Sequence, residues 1–512
     1  MVLGRLCCEA DIFCPPEVEE TEILGIETDS RRVNHGSMFV CIRGLRTDGH
    51  AYVEEAIERG AACILVDRYA PLPDDGRAVY LQCKDTRRAS AFLYNAWYQD
   101  PARSMKLIGV TGTNGKTSVS NMLCAILEAS LHRTGLIGTI GCRIGDRTLD
   151  VTSDDPMASM TTPDPAVLYR ILYEMAKEGA EYVVMEVSSH ALTLEKVAPL
   201  SFECAIFTNL TPEHLDFHKT MENYARAKAS LMSSARICVI NADSPYAALM
   251  EKSAGGRYIT CTQTGQDADF SATDIETDSP LGTEYRLCSI GARLRLSCRI
   301  PGSFTVMNSM QAAIAALALG CAPATVKSVL ASLGTVKGRM EYVKLGIGAD
   351  FSVLLDYAHT PDALEKLLIC ARTLTKSDGR LVLLFGCGGD RDKTKRAIMG
   401  EIATRLADVT VITSDNPRGE DPMGIIDEIL LGVSTDAAYH VIPSREEAIR
   451  FAILNAQRND LILLAGKGHE EYEITSTGKR AFDERRIVRD AFLERERIRN
   501  GTLNDGKDGV DE

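Results

Sequence analysis

Apolar residues along this chain fall into short continuous runs separated by segments with helical spacing, and the pattern changes character twice. In the first block, Met38–Ile42 (MFVCI) and Ala62–Val66 (ACILV) read as strands and Tyr52–Arg59 between them as a helix; Asp100-Pro101 then marks a break. A second block opens at Lys106, where LIGV reads as a buried strand and TGTNG as a glycine-rich turn. The segment after that turn places Val119, Met122, Leu123, Ile126 and Leu127 on one face of a helix. Further strands are expected at Tyr182–Val187, Cys204–Thr208 and Ile237–Asn241. Residues 257–300 alternate apolar and polar positions over short stretches, which predicts an antiparallel insertion, closed by PGSF and an alanine-rich helix near Gln311–Leu319.

From about Tyr342 a third block repeats strand, loop and helix. Its strands are SVLLDY, RLVLLFG, VTVITS and DLILLAG, with helical segments such as Glu446–Ala456 between them, which predicts a doubly wound α/β sheet. Each strand runs into a polar or glycine-rich loop: DYAHTPDAL, GCGGDRDKTKR, SDNPRGEDP and GKGHEEYEI. Ligands of open α/β sheets bind at the carboxyl ends of the strands, so four such loops are the trace a binding site would leave. The pattern divides the chain into three α/β domains, 1–100, 101–336 and 337–493, followed by a charged tail, 494–512, expected to be disordered.

Composition narrows the function classes. The 512 residues carry 57 Lys and Arg against 71 Asp and Glu, a formal charge of −14, which disfavours nucleic acid and anionic membrane as general partners. The 16 cysteines are scattered with no C-x-x-C pair, so buried thiols are expected rather than a disulfide framework or metal cluster. MVLGRLCCEADIFC lacks the basic start and long apolar run of a secretion signal, and no apolar stretch is long enough for a membrane helix. A cytoplasmic enzyme is expected.

The strongest chemical signal is Gly112-Thr113-Asn114-Gly115-Lys116-Thr117, set between a strand and an amphipathic helix. Backbone N–H groups in such a loop, backed by a helix N-terminus, cradle phosphate. Lys116 would neutralise the β- and γ-phosphates, and the Thr117 hydroxyl would ligate Mg²⁺. The match to G-x-x-x-x-G-K-[ST] is imperfect, because Val110 stands where the first glycine belongs; Gly112 supplies the flexibility instead.

GVTGTNGKTS resembles the ATP loop of the Mur ligase and folylpolyglutamate synthase superfamily. The resemblance runs over nearly the whole chain: DSRRV and DGH near the start, TTPDP at 161–165, EVSSHAL at 186–192, NLTPEHLDFH at 209–218, YARAK at 224–228, GRME at 338–341, then the four C-terminal loops. It implies an ATP-dependent ligase: a phosphoryl group activates a carboxylate as an acyl phosphate, which an amine captures through a tetrahedral intermediate. Around the phosphates the resemblance sets Ser118 beside the loop, Asn308 near the adenine, and Arg339, Asp356 and His359 reaching back toward ATP. It identifies Glu186 and His214 as ligands of two Mg²⁺ ions, and Lys228 as a lysine carbamylated to an anion that supports the metal. From the residues alone, Glu186 could equally be a solvated strand end and His214 a structural histidine. His214-x-x-x-His218 also has the spacing of two zinc ligands, but no third ligand is evident.

For the nucleotide-linked substrate, the resemblance implies a uridine-nucleotide domain at the N-terminus with Ser30 in contact, and Thr161, Thr162 and Ser188 on the muramoyl-dipeptide part. TTPDP can equally cap the helix that follows. Two positions depart from the family: Leu194 and Lys196 stand where Gln and Arg are frequent. Lys196 can meet a phosphate as a point charge but without the bidentate fork.

Asp415-Asn416-Pro417-Arg418 resembles the motif of diaminopimelate-adding members, which lysine-adding members lack. Meso-diaminopimelate carries a second carboxylate at its far end, and a guanidinium meets a carboxylate with two parallel hydrogen bonds. Arg391 resembles a second carboxylate contact, and Gly466 and Glu470 the groups that hold the amino-acid ammonium. DNPR and GKGHE are also plain turn sequences. The implied partners are small molecules, and a monomer is expected. Lysine-adding, D-Ala-D-Ala-adding and folylpolyglutamate-forming branches remain the enzymatic alternatives. A nucleotide-dependent switch is the alternative of another class, against which the four acceptor loops stand.

Overall fold

The computed structural model describes residues 1–44, 47–69, 76–149, 161–279 and 282–499, and its strands form three main sheets. The first is a four-stranded parallel sheet of Gly25–Glu27, Ser37–Val40, Cys63–Asp67 and Val79–Cys83, in that order. It rests on the second unit through helix Thr86–Trp97, which packs against helix Pro165–Lys177 across a shared apolar layer that includes Leu93, Leu168 and Leu172.

The second sheet has eleven strands. At its centre, Lys106–Thr111 lies parallel between Phe202–Phe207 and Tyr182–Glu186. Because all three run the same way, their carboxyl ends deliver the 112–115 turn, the 208–214 loop and Glu186 to one place. Helix Lys116–Ala129 buries the predicted face, with Val119, Met122, Leu123, Ile126 and Leu127 almost wholly inaccessible. The 257–300 segment is not a separate antiparallel insertion. Arg257–Thr262 pairs parallel with Ala235–Asn241 and belongs to the main sheet, and antiparallel pairing begins only with Phe270–Ser279, which carries the same sheet outward.

The third sheet orders its parallel strands Ser352–Asp356, Leu461–Ala465, Leu381–Phe385, Val409–Ile412 and Tyr439–Val441. Alternate residues feed two cores. Leu354, Leu383, Phe385 and Leu463 face helices Pro361–Leu374, Lys395–Leu406 and Pro422–Leu430; Val353, Val382, Leu384 and Leu464 face helices Arg445–Leu454 and Glu484–Arg499. Burial on both faces explains why these strands read as continuous apolar runs. The sequence pattern set a frayed tail from Glu494, but the last helix runs on to Arg499, with Arg495 buried and paired to Asp350 at 2.9 Å; residues 500–512 lie outside the described residues. Among the described residues, no helix is long and apolar enough to cross a membrane.

Candidate functional site

The turn after Lys106–Thr111 is shaped by two glycines. Gly112 has φ +153° and Gly115 φ +87°, and a β-carbon at either would collide with a neighbour, Thr208 Oγ1 and Asn308 Oδ1 respectively. Thr113 is tied down by Tyr224 and by both backbone groups of Thr211, and the Asn114 amide N–H donates to Asn209 Oδ1 at 2.9 Å. Lys116 folds back over the loop, its Nζ 2.9 Å from the carbonyl oxygens of Gly112 and Thr113. Burial pulls its pKa below the ordinary lysine value, against the pull of Glu186 and Glu213. Ser118 is half-buried in the first turn of the helix behind the loop, and Asn308 is buried on helix Ser303–Ala318 against Gly115.

Glu186 stands at the heart of this place. Its Oε2 accepts from Thr117 Oγ1 at 3.0 Å and Thr139 Oγ1 at 2.9 Å, and its Oε1 from the Thr139 amide at 2.9 Å. Thr139 Oγ1 also lies 3.1 Å from Thr161 Oγ1. Thr162 donates to the Glu186 carbonyl at 2.9 Å and accepts from the Ser188 amide at 3.0 Å. Thr161, Thr162, Ser188 and Glu186 are therefore one hydroxyl-rich cluster. The cap of helix Pro165–Lys177 is Asp164, not either threonine, whereas Ser188 does cap helix Ser189–Thr193.

Lys228 is fully buried, donating to the Gly112 carbonyl at 2.8 Å above the Tyr224 ring. Burial pushes its pKa well below the ordinary value, and Lys116 pushes the same way. His214 occupies a left-handed backbone position, φ 57°, beside Glu213. Burial lowers its imidazole to about 3 in spite of that carboxylate, leaving a neutral ring that can ligate a metal. His218 turns elsewhere, to Ser189 Oγ at 2.9 Å and the face of Tyr224, so the paired-zinc spacing is not realised as a pair. Among the described residues, no group of three or more His, Cys, Asp or Glu gathers as metal ligands. The oxygen set around Glu186, a carboxylate flanked by two hydroxyls, is of the hard kind that Mg²⁺ prefers.

The third unit closes over this cluster. Arg339 lies on the Tyr357 ring and reaches Thr117 Oγ1 at 3.2 Å; His359 Nε2 is 3.0 Å from Glu213 Oε1; and Asn114 donates to Asp362 at 3.0 Å. Asp356 points inward, its two oxygens each accepting a backbone amide, from Met340 and Ala358 at 2.8 Å, and burial raises its pKa. It anchors the loops that carry Arg339 and His359.

Beside them, the strand-end loops form a second pocket. Arg391 and Arg418 are neighbours: burial, then the Arg418 charge, depresses Arg391 below the ordinary arginine value. The Arg418 guanidinium donates to the Gly389 carbonyl at 2.8 Å, and Arg391 to the Asp390 carbonyl at 3.1 Å. Among the described residues, neither has a carboxylate in ion-pair contact. Asp415 and Asn416 are buried at the end of Val409–Ile412; Pro417 begins the turn to Arg418, itself at φ 52°; Gly466, φ +112°, lies against Asp415. Asn416 donates to Glu470 Oε2 at 2.8 Å. Behind the loops, the buried Arg445–Glu484 pair, 2.8 Å, ties down the carbonyls of Ser414 and Ala465.

Two predicted substrate residues are held by carboxylates of the protein itself. The Ser30 hydroxyl donates to Glu55 at 2.7 Å inside the first unit, and Lys196 is buried with Nζ 2.6 Å from Asp164. Sequence reasoning passed over Thr139, Glu213, Asp362 and Lys467. Glu213, Asp362 and Lys467 sit inside quoted motifs, whereas Thr139 carries no local signal.

Known proteins resemble this chain along most of its length. Residues 22–98 match the model of the Mur ligase family catalytic domain, 110–316 the Mur ligase middle domain, and 338–468 the Mur ligase glutamate ligase domain. The UDP-N-acetylmuramoyl-L-alanyl-D-glutamate–2,6-diaminopimelate ligase 1 of Clostridium acetobutylicum is 44% identical over 92% of this chain and 95% of its own length. The ligase of the same description from Geobacillus kaustophilus is 42% identical over 93% and 96%. A solved structure of a ligase so described superposes with a TM-score of 0.66 at 30% identity, covering 97% of this chain and all, 100%, of its own.

Proposed function

We propose, from the premise that this chain belongs to the Mur ligase family, that it joins meso-2,6-diaminopimelate to UDP-N-acetylmuramoyl-L-alanyl-D-glutamate at the expense of ATP, forming the tripeptide precursor of peptidoglycan. The observation that carries the choice of acceptor is the pair Arg391 and Arg418, adjacent in a pocket that also holds Glu470. Two neighbouring guanidiniums with no carboxylate in ion-pair contact among the described residues fit a ligand that brings its own carboxylates, and Glu470 fits its ammonium.

In this reading the loop amides and Lys116, released from the Gly112 and Thr113 carbonyls, hold the triphosphate. Thr161, Thr162 and Ser188 hold the dipeptide with its glutamyl carboxylate near Glu186. A carboxylate oxygen attacks the γ-phosphorus, the bond to the β-phosphate oxygen breaks, and ADP leaves. The amine of the acceptor adds to the acyl phosphate carbonyl and loses its proton; the tetrahedral adduct then expels inorganic phosphate. Charge accumulates on phosphoryl oxygens throughout, which Lys116 and Arg339 are placed to meet. Thr117, Glu186, His214 and a carbamylated Lys228 would hold Mg²⁺, which when bound supplies further positive charge at those oxygens. Asn308 would flank the adenine, and Ser30 the uridine nucleotide.

ADP release in the presence of the nucleotide-linked dipeptide tests the proposal. Meso-diaminopimelate should be used in strong preference to L-lysine, on the order of 10⁴-fold, because lysine, with a single carboxylate, leaves one of the two guanidiniums without a partner. Equal use of the two amines would overturn the acceptor assignment.

A further inference from the structure

Lys467, in the GKGHE turn, has no role above, and it is completely buried. A lysine ammonium is placed at such a depth only where its donors are used. Its Nζ donates to Asn416 Oδ1 at 2.9 Å and to the Tyr472 carbonyl at 3.0 Å, with Asp415 Oδ1 at 3.5 Å and Glu470 Oε2 at 3.9 Å. The Phe482 ring closes the remaining side at 5.5 Å.

The consequence falls on Asn416. Its Oδ1 accepts from Lys467 and also from the Ile474 amide at 2.9 Å, so both donors demand the oxygen and the amide group can point only one way. The Nδ2 group is then aimed at Glu470 Oε2, 2.8 Å away. That leaves Oε1 of Glu470, which accepts no hydrogen bond among the described residues, to face the pocket. We propose that Lys467 is a positioning residue of the acceptor site: it locks the Asn416 amide so that Glu470 presents one carboxylate oxygen to the incoming ammonium. This rests on the reading of the acceptor pocket given above.

Charge supports the same geometry. Burial raises the Glu470 carboxyl and Asp415 adds to the rise, while Lys467, the Asn416 hydrogen bond and His359 oppose it. Lys467 also faces Asp415, whose Oδ1 is buried without a hydrogen-bond partner. Removing Lys467 leaves two carboxylates facing each other, so Glu470 becomes harder to ionise.

The test compares wild type with Lys467→Met in steady-state kinetics for each substrate. The variant is expected to raise the KM for meso-diaminopimelate at least tenfold, with KM for ATP and for the nucleotide-linked dipeptide changed less than threefold. The acid limb of kcat/KM for the acceptor should move to higher pH by about one unit, since ammonium binding needs the Glu470 carboxylate. A merely structural lysine would move all three KM values together and leave that limb in place, which overturns the proposal, as does an unchanged acceptor KM. If Lys467→Met does not fold, Asn416→Ala decides, because Lys467 acts through Asn416: a tenfold rise confined to the acceptor KM supports the lock, and no rise overturns it. Wild-type enzyme that ignores meso-diaminopimelate would instead refute the acceptor reading itself.

Discussion

Lys228 shows how much one buried group can say. Its ammonium meets a single carbonyl, that of Gly112, and no carboxylate in ion-pair contact among the described residues, and burial holds its pKa far below the ordinary value. Burial thus favours the neutral amine, the form that is nucleophilic toward carbon dioxide. We propose that carbon dioxide adds here, forming a new N–C bond with the loss of a proton and turning a desolvated base into an anion beside the phosphate loop. Enzyme equilibrated with ¹³C-bicarbonate should show a protein carbamate resonance that Lys228→Ala lacks. The same substitution should lower kcat by at least about 10²-fold, the scale expected when a preorganised charge is removed from a phosphoryl-transfer site. Acid protonates the amine and releases the carbon dioxide, so resonance and activity should fall together as pH drops. A resonance that survives the substitution, or a variant that keeps its rate, would end this account. At this scale much was legible. In YARAKASLM, Lys228 shares a helical face with Tyr224, Ala225, Leu231 and Met232, all buried, but it was legible through the family resemblance rather than through this stripe. Lys467 and Thr139 were not, because a residue in a turn has no period against which its burial can be read.

Among elements, the third sheet was the clearest, because strands buried on both faces leave long apolar runs and each ends in a recognisable loop. Arg257–Thr262 was misread for the opposite reason. Alternation records which side of the pleat a residue occupies, not whether its neighbour runs parallel. Helix Ala247–Ser253, short and weakly patterned, is the crossover that makes the strand parallel. What no pattern foretold is the Arg445–Glu484 pair, since both residues sit among the charged positions of helices that look solvent-exposed in sequence. Arg445 also donates to Ala465 at 2.8 Å and to Ser414 at 3.3 Å, the carbonyls at the ends of two strands that carry acceptor loops. Arg445→Met strands Glu484 in the interior and should cost about 3 kcal/mol or more. In a domain of this size that is a fall of roughly 6–12 °C in melting temperature. The loop following Ser414 should also loosen, so hydrogen exchange at residues 413–418 should quicken before the global transition. Wild-type melting and exchange in the variant would show that the pair contributes little.

The whole molecule is drawn together by few polar links between its second and third units. Arg339 with Thr117, His359 with Glu213, and Asp362 with Asn114 all converge within a few residues of the phosphate loop. Beneath them the apolar layer continues from helix Ser303–Ala318 of the second unit to helix Pro361–Leu374 of the third. An arrangement whose polar contacts cluster at the nucleotide cradle fits a closed state that ATP would favour, since a polar link at the rim is weak in water and strengthens once water is excluded. Without nucleotide, those same links are the part most easily exchanged for solvent. Closure should then appear in solution as compaction: the radius of gyration from small-angle scattering should fall when a non-hydrolysable ATP analogue and the nucleotide-linked dipeptide are added. The double variant His359→Ala, Asp362→Ala removes two links and leaves the loop glycines, Lys116 and the apolar layer in place. It should remain extended under the same additions, and its kcat/KM for ATP should drop about 10- to 100-fold, as expected when reacting groups are held less closely. Identical scattering curves for wild type with and without ligands would mean that the two units do not hinge. Compaction of the variant equal to that of wild type would mean that these side chains are bystanders, and that the apolar layer alone sets the approach of the third unit.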